Sequence, residues 1–161
     1  MGRRRQRGFR PDCQGLEDRQ LLSGYYIVNA SSGKVMDDPG YSVSNGAVIQ
    51  QYQLLGGTNQ RWDLIPQPGG NFEVLNEYSQ KVLDDPGFST SDGIHMQQFK
   101  LTGGLNQLWR LVPRGGDYYE IVNAYSGKAL DDPSFSTRSG TPVNQYHRTG
   151  GLNQLWRLLP G

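Results

Sequence analysis

Short runs bounded by turn residues, rather than helical stripes, carry the hydrophobic positions of this chain. The first set is Tyr25–Ala30, Lys34–Asp38, Ala47–Leu54 and Arg61–Pro66, broken at Ser31-Ser32-Gly33, Asp38-Pro39-Gly40 and Gly56-Gly57. Such runs predict four short strands. No stretch keeps a 3.6-residue apolar period long enough for a helix. In the last run, strand alternation sets Gln60, Trp62 and Leu64 on one face and Asn59 on the other.

The pattern then returns twice. Asp37-Asp38-Pro39, Asp84-Asp85-Pro86 and Asp131-Asp132-Pro133 lie 47 residues apart, and Trp62, Trp109 and Trp156 keep the same step inside Asn-Gln-x-Trp strings. A fixed period marks one supersecondary unit copied until its core closes. The units are residues 25–66, 72–113 and 119–160, joined by turn-rich linkers. Twelve strands in three groups of four fit a propeller or a threefold closed barrel capped by hairpins. Trp62-Asp63 resembles a propeller signature, but its counterparts are Trp109-Arg110 and Trp156-Arg157, and propellers typically have at least four blades. The expectation is therefore all-β, a β-trefoil with pseudo-threefold symmetry, which leaves little exposed strand edge.

Composition fits a turn-rich β protein: 161 residues, 35% hydrophobic, with 22 glycines. Charge divides the chain. Residues 1–24 hold six Arg against three acidic residues, whereas 25–161 hold ten basic against twelve acidic. The folded part thus lacks a basic face for a phosphate backbone, and no nucleic-acid partner is expected. Residues 1–24 read as a basic, disordered leader. Cys13, the only cysteine, lies there, so no internal disulfide can form. No apolar run reaches membrane-spanning length.

Most repeated residues have a structural reading. The three Trp, with Leu64, Leu111 and Leu158, fill a shared core. Ile27, Val74 and Ile121 join them, as do Val35, Val82 and Ala129. Gln60, Gln107 and Gln154 serve backbone groups left unpaired at turns. A second set is harder to explain by packing. The two adjacent Asp side chains of each unit diverge, so one can cap the turn while the other faces solvent or a ligand. Gln50 and Tyr52 share a face further on, with Asn59 beyond the Gly-Gly turn. A carboxylate, an amide and an exposed aromatic suit a sugar: the carboxylate accepts ring hydroxyls and the aromatic meets the C–H face.

The string Asp37…Ile49-Gln50-Gln51-Tyr52…Asn59-Gln60-Arg61-Trp62 resembles one subdomain of the ricin-type β-trefoil lectins and related carbohydrate-binding modules, and the resemblance covers all three units. It implies sugar sites at Asp37, Gln50, Tyr52, Asn59 and Gln60; at Asp84, Gln97, Phe99, Asn106 and Gln107; and at Asp131, Asn144, Tyr146, Asn153 and Gln154. Asn144 replaces Gln in the third, and Phe99 offers no hydroxyl in the second. It also implies galactose-like sugars or plant and bacterial polysaccharides. Separately, Leu16-Glu17-Asp18-Arg19-Gln20-Leu21-Leu22-Ser23 is similar to the Leu-Glu-Pro-Arg-x-Leu-Leu leader of exported bacterial proteins, with Asp18 in place of Pro. That implies an exported or surface location.

Other function classes fare worse. His95 and His147, the only histidines, do not recur at equivalent positions, so no nucleophile–base pair is suggested and an enzyme is not expected. The Asp pairs lack any recognised cation-loop spacing, so neither a metal nor a cofactor is expected. The rival reading is a trefoil scaffold for protein binding or inhibition with degenerate sugar sites. The expected state is a monomer.

Overall fold

The computed structural model describes residues 21–161. Most of the leader reading, including Cys13, lies outside the described residues. Thirteen strands run along the chain: β1 (Leu22–Asn29), β2 (Val35–Asp37), β3 (Gln50–Tyr52), β4 (Trp62–Gln67), β5 (Asn71–Asn76), β6 (Val82–Asp84), β7 (Ile94–His95), β8 (Gln97–Phe99), β9 (Trp109–Pro113), β10 (Tyr118–Asn123), β11 (Ala129–Asp131), β12 (Asn144–Tyr146) and β13 (Trp156–Pro160). Among the described residues there is no α-helix, only short 3-10 turns.

Antiparallel pairing of β1 with β4, β4 with β5, β5 with β9, β9 with β10, β10 with β13, and β13 back to β1 closes a six-stranded barrel. Three hairpins, β2–β3, β6–β8 and β11–β12, cap it. This is the β-trefoil expected from the repeat. The thirteenth strand is a local variation: β7 pairs with β12, while the equivalent positions in the other copies make only the single bridges Val48 to Gln97 and Gln50 to Pro142. The hairpins also meet each other in a ring. Ile49 N–H donates to the Met96 carbonyl, Met96 to Val143 and Val143 to Ile49, each at 3.0 Å.

Trp62, Trp109 and Trp156 are fully buried, and their indole Nε1 atoms donate to the carbonyls of Met36, Leu83 and Leu130 at 3.0–3.1 Å. Each Trp thus seals the barrel and pins its own cap hairpin. The expected core residues are buried, except that Leu158 is only partly so. Met36, Leu83 and Leu130 extend that core.

One boundary moves. Leu22, placed in the leader by the sequence, is buried in the core and pairs with Leu64. Gly24, at φ +74, interrupts the register between Leu22 and Tyr25, and its N–H donates to Asp63 Oδ1 at 2.8 Å. The strand therefore begins inside the segment read as leader.

Candidate functional site

Each cap hairpin carries the first Asp of its pair at the end of a strand, opposite an amide on the returning strand: Asp37 is in register with Gln50, Asp84 with Gln97 and Asp131 with Asn144. These three carboxylates are nearly covered, at 3–4% exposure. In the first unit Gln50 Nε2 donates to Asp37 Oδ1 at 2.9 Å and Gln60 Nε2 to Oδ2 at 2.8 Å. The second repeats this with Gln97 and Gln107, both at 2.9 Å, and Asn106 adds a longer contact of 3.3 Å. In both units Oδ1 accepts a single amide and keeps a lone pair for one further donor.

The third unit departs. Gln154 reaches Asp131 at 3.0 Å and Asn153 at 3.3 Å, but Asn144 makes no such bond, and its buried Oδ1 has no partner. One methylene decides this. Asp131 titrates above the ordinary carboxylate range, chiefly through burial; the Gln154 donor pulls it down, Asp92 pushes it up and His147 pulls it down.

Gln60, Gln107 and Gln154 are fully buried, which corrects their placement among ligand contacts. Gln60 spends its Oε1 on the N–H groups of Leu55 and Gly56 and its Nε2 on Asp37 and the Gln53 carbonyl. Its part is to hold the carboxylate from beneath while closing the turn. Asn59, Asn106 and Asn153 are also nearly buried and donate to the carbonyls of Asp38, Asp85 and Asp132 at 2.9–3.0 Å. Tyr52, Phe99 and Tyr146 are half-buried to exposed, with Tyr146 at 37%.

The second Asp of each pair is not the cap that turn chemistry suggests. Asp38, Asp85 and Asp132 are fully buried, none caps its turn with the side chain, and all six carboxyl oxygens lack a hydrogen-bond partner. Burial and then the neighbouring Asp push each up to about 7, against a smaller downward pull from the backbone at Ser42, Ser89 or Ser136, whose N–H groups are themselves bonded to the carbonyls of Pro39, Pro86 and Pro133.

A second aromatic in each unit was missed. Tyr41, Phe88 and Phe135 sit at positive φ (55° to 57°) and are 46–53% exposed on the turn after Asp-Pro. Each ring lies over a glycine. A Cβ on Gly57 would collide with the Tyr41 hydroxyl; on Gly104 it would come within 3.0 Å of Phe88, and on Gly151 within 3.2 Å of Phe135. These glycines have ordinary negative φ, so close approach, not backbone freedom, excludes larger residues. The signal was available: an aromatic at the same offset from each Asp-Pro, in a turn where packing does not require one. In the third unit Asp131, Phe135, Asn144, Tyr146, Gly151 and Asn153 line one open hollow, and the same positions recur in the other two.

The residue before each of these aromatics is also left-handed: Gly40 at +64, Gly87 at +65, but Ser134 at +56. Left-handed backbone costs an L-residue about 1–2 kcal/mol, while glycine loses roughly 0.4–1 kcal/mol in unfolded-chain entropy. Ser134→Gly is therefore expected to stabilise the fold by about 0.5 kcal/mol, read as a raised urea midpoint at unchanged m-value.

Known proteins match this architecture. The family described as "Ricin-type beta-trefoil lectin domain-like" matches residues 17–99 and 105–161. The designed threefold-symmetric protein ThreeFoil is 44% identical over 85% of this chain and 98% of its own, with a TM-score of 0.83. An exo-beta-1,3-galactanase from Clostridium thermocellum is 36% identical over 86% of this chain but only 30% of its own length, with a TM-score of 0.84. The Macrolepiota procera ricin B-like lectin, solved with lactose, shares the fold at 23% identity and a TM-score of 0.74, covering 89% of this chain and 96% of its own. No curated protein matches the chain.

Proposed function

We propose that this chain, which belongs to the ricin-type beta-trefoil lectin domain-like family, binds carbohydrate without catalysis at its three hollows, with galactose-like sugars or polysaccharides containing them as ligands. The observation that carries this reading is a nearly covered carboxylate held on one or both oxygens by amides, beside an exposed ring, in every repeat. Such a carboxylate is fixed before a ligand arrives, so accepting two neighbouring hydroxyls costs little ordering. The ring offers its face to the sugar's C–H surface. Identity to part of an exo-beta-1,3-galactanase supports the galactose class.

The non-catalytic reading is supported by the second Asp. It is sealed inside, so two carboxyls do not flank a common ligand as acid and base. A single open hollow is expected to bind weakly, with Kd on the order of 0.1–1 mM. Retention on a polymer then comes from engaging two or three hollows, roughly 10²-fold where ligand spacing permits. An exported bacterial monomer held on a wall or plant polysaccharide in this way completes the proposal.

The test is a glycan array and calorimetry on the wild type and on the variant carrying Asp37→Ala, Asp84→Ala and Asp131→Ala, with circular dichroism to show it folded. Binding to galactosides is expected to fall at least tenfold in single variants at the altered hollow and to vanish in the triple one. Undiminished binding in the folded triple variant would hand the function to the protein-scaffold reading.

A further inference from the structure

We propose that the first and second hollows each carry a second sugar-ring subsite supplied by the following repeat. These two take a chain of linked sugars, whereas the third takes a single ring. The inference rests on the sugar-binding reading and turns on one position, occupied by Ser31, Tyr78 and Tyr125.

Its backbone is the same three times. Asn29, Asn76 and Asn123 are fully buried, and each Oδ1 accepts the next turn's two N–H groups, at residues 31 and 32, 78 and 79, and 125 and 126. Their Nδ2 atoms donate at 3.0 Å to the carbonyls of Asn153, Asn59 and Asn106. Every turn is thereby tied to the hollow of the preceding repeat: Tyr78 to the first, Tyr125 to the second, Ser31 to the third.

The side chains then differ. Tyr78 meets Tyr41 edge-to-face, with centroids 4.9 Å apart at 84°, and Tyr125 meets Phe88 at 5.0 Å and 87°. All four rings remain 45–47% exposed. Two perpendicular aromatics locked together and both open to solvent form an apolar corner wider than one sugar ring. Phe135, at 53% exposure, has only Ser31 at that place. A pyranose seated on the Asp37 carboxylate and Tyr41 would lead its linked neighbour over Tyr78. The same path exists from Asp84 and Phe88 to Tyr125, and ends at a serine in the third repeat.

Titration of ¹⁵N-labelled protein, following the Gly57, Gly104 and Gly151 amides, reads the three hollows separately. With galactose and β-1,3-linked galactotriose as probes, the trisaccharide is expected to bind the first two hollows about tenfold more tightly than galactose, and the third within about twofold. Tyr78→Ala should remove the gain at the first hollow alone, lowering trisaccharide affinity there far more than galactose affinity, and Ser31→Tyr should create a gain at the third. An equal gain at all three hollows overturns the subsite. So does a Tyr78→Ala variant that weakens both sugars by one factor, since the ring would then only brace Tyr41. No shift at any hollow with either sugar overturns the sugar-binding reading itself, and this inference with it.

Discussion

Trp109→Ala is expected to destabilise the domain by about 3–5 kcal/mol, enough to leave much of a marginally stable chain unfolded at 37 °C. The indole is fully buried and fills the barrel, and its removal opens a cavity that rigid strands on all sides cannot collapse. The loss is double, because the Leu83 carbonyl also loses its 3.1 Å donor within the interior. Trp62→Ala and Trp156→Ala should cost the same within about 1 kcal/mol, since each indole repeats the burial and the bond. Tyr41→Ala is the contrast: its ring is half exposed and loses chiefly its edge contact with Tyr78, so stability should fall by only about 1 kcal/mol. Urea titrations read all four. A loss below 1 kcal/mol for any Trp variant would show that the barrel is not closed by these residues.

The period made the barrel legible, because an apolar residue recurring every 47 positions on a strand points to equivalent places in a shared core. It could not show how that core ends. Gly24 lies in the segment read as leader, yet its left-handed backbone carries the chain through a register shift, and Leu22 still reaches the interior. Gln51, Gln98 and Gln145 were hidden for the opposite reason. Polar residues between two candidate contacts look solvent-facing, but these are fully buried and clamp the neighbouring repeat through carbonyls such as Ser136, Ser42 and Ser89. Half of the hollow was readable. The Asp and amide positions follow from strand register, which alternation gives. Tyr41, Phe88 and Phe135 do not, because consecutive left-handed residues turn the side chain where no strand or helix period points. That conformation costs each copy energy and recurs in all three repeats.

The three sealed carboxyls predict an unusual pH profile: the domain should gain stability as pH falls from 8 to 5. Asp38, Asp85 and Asp132 sit near 7 in the folded chain against an ordinary value of 3.8, raised first by burial and then by the adjacent Asp. The folded state therefore holds more protons than the unfolded state throughout that window. Its stabilisation is complete below about 4 and lost as pH rises through about 7. Each pH unit of difference is worth about 1.4 kcal/mol per group, so three carboxyls together outweigh the opposing exposed Asp92, whose range is lowered by His147 and Lys128. A Tm at least about 5 °C higher at pH 5 than at pH 8 is expected. In the variant Asp38→Asn, Asp85→Asn, Asp132→Asn, with no charge to bury, most of that slope should disappear. The gain should show at pH 8, where the wild type must hold ionised carboxylates without a partner. A wild-type Tm that stays level or drops on acidification would mean that these carboxyls are ionised inside the fold, and a triple variant that keeps the full slope would mean that other buried acids such as Glu73 or Asp131 produce it.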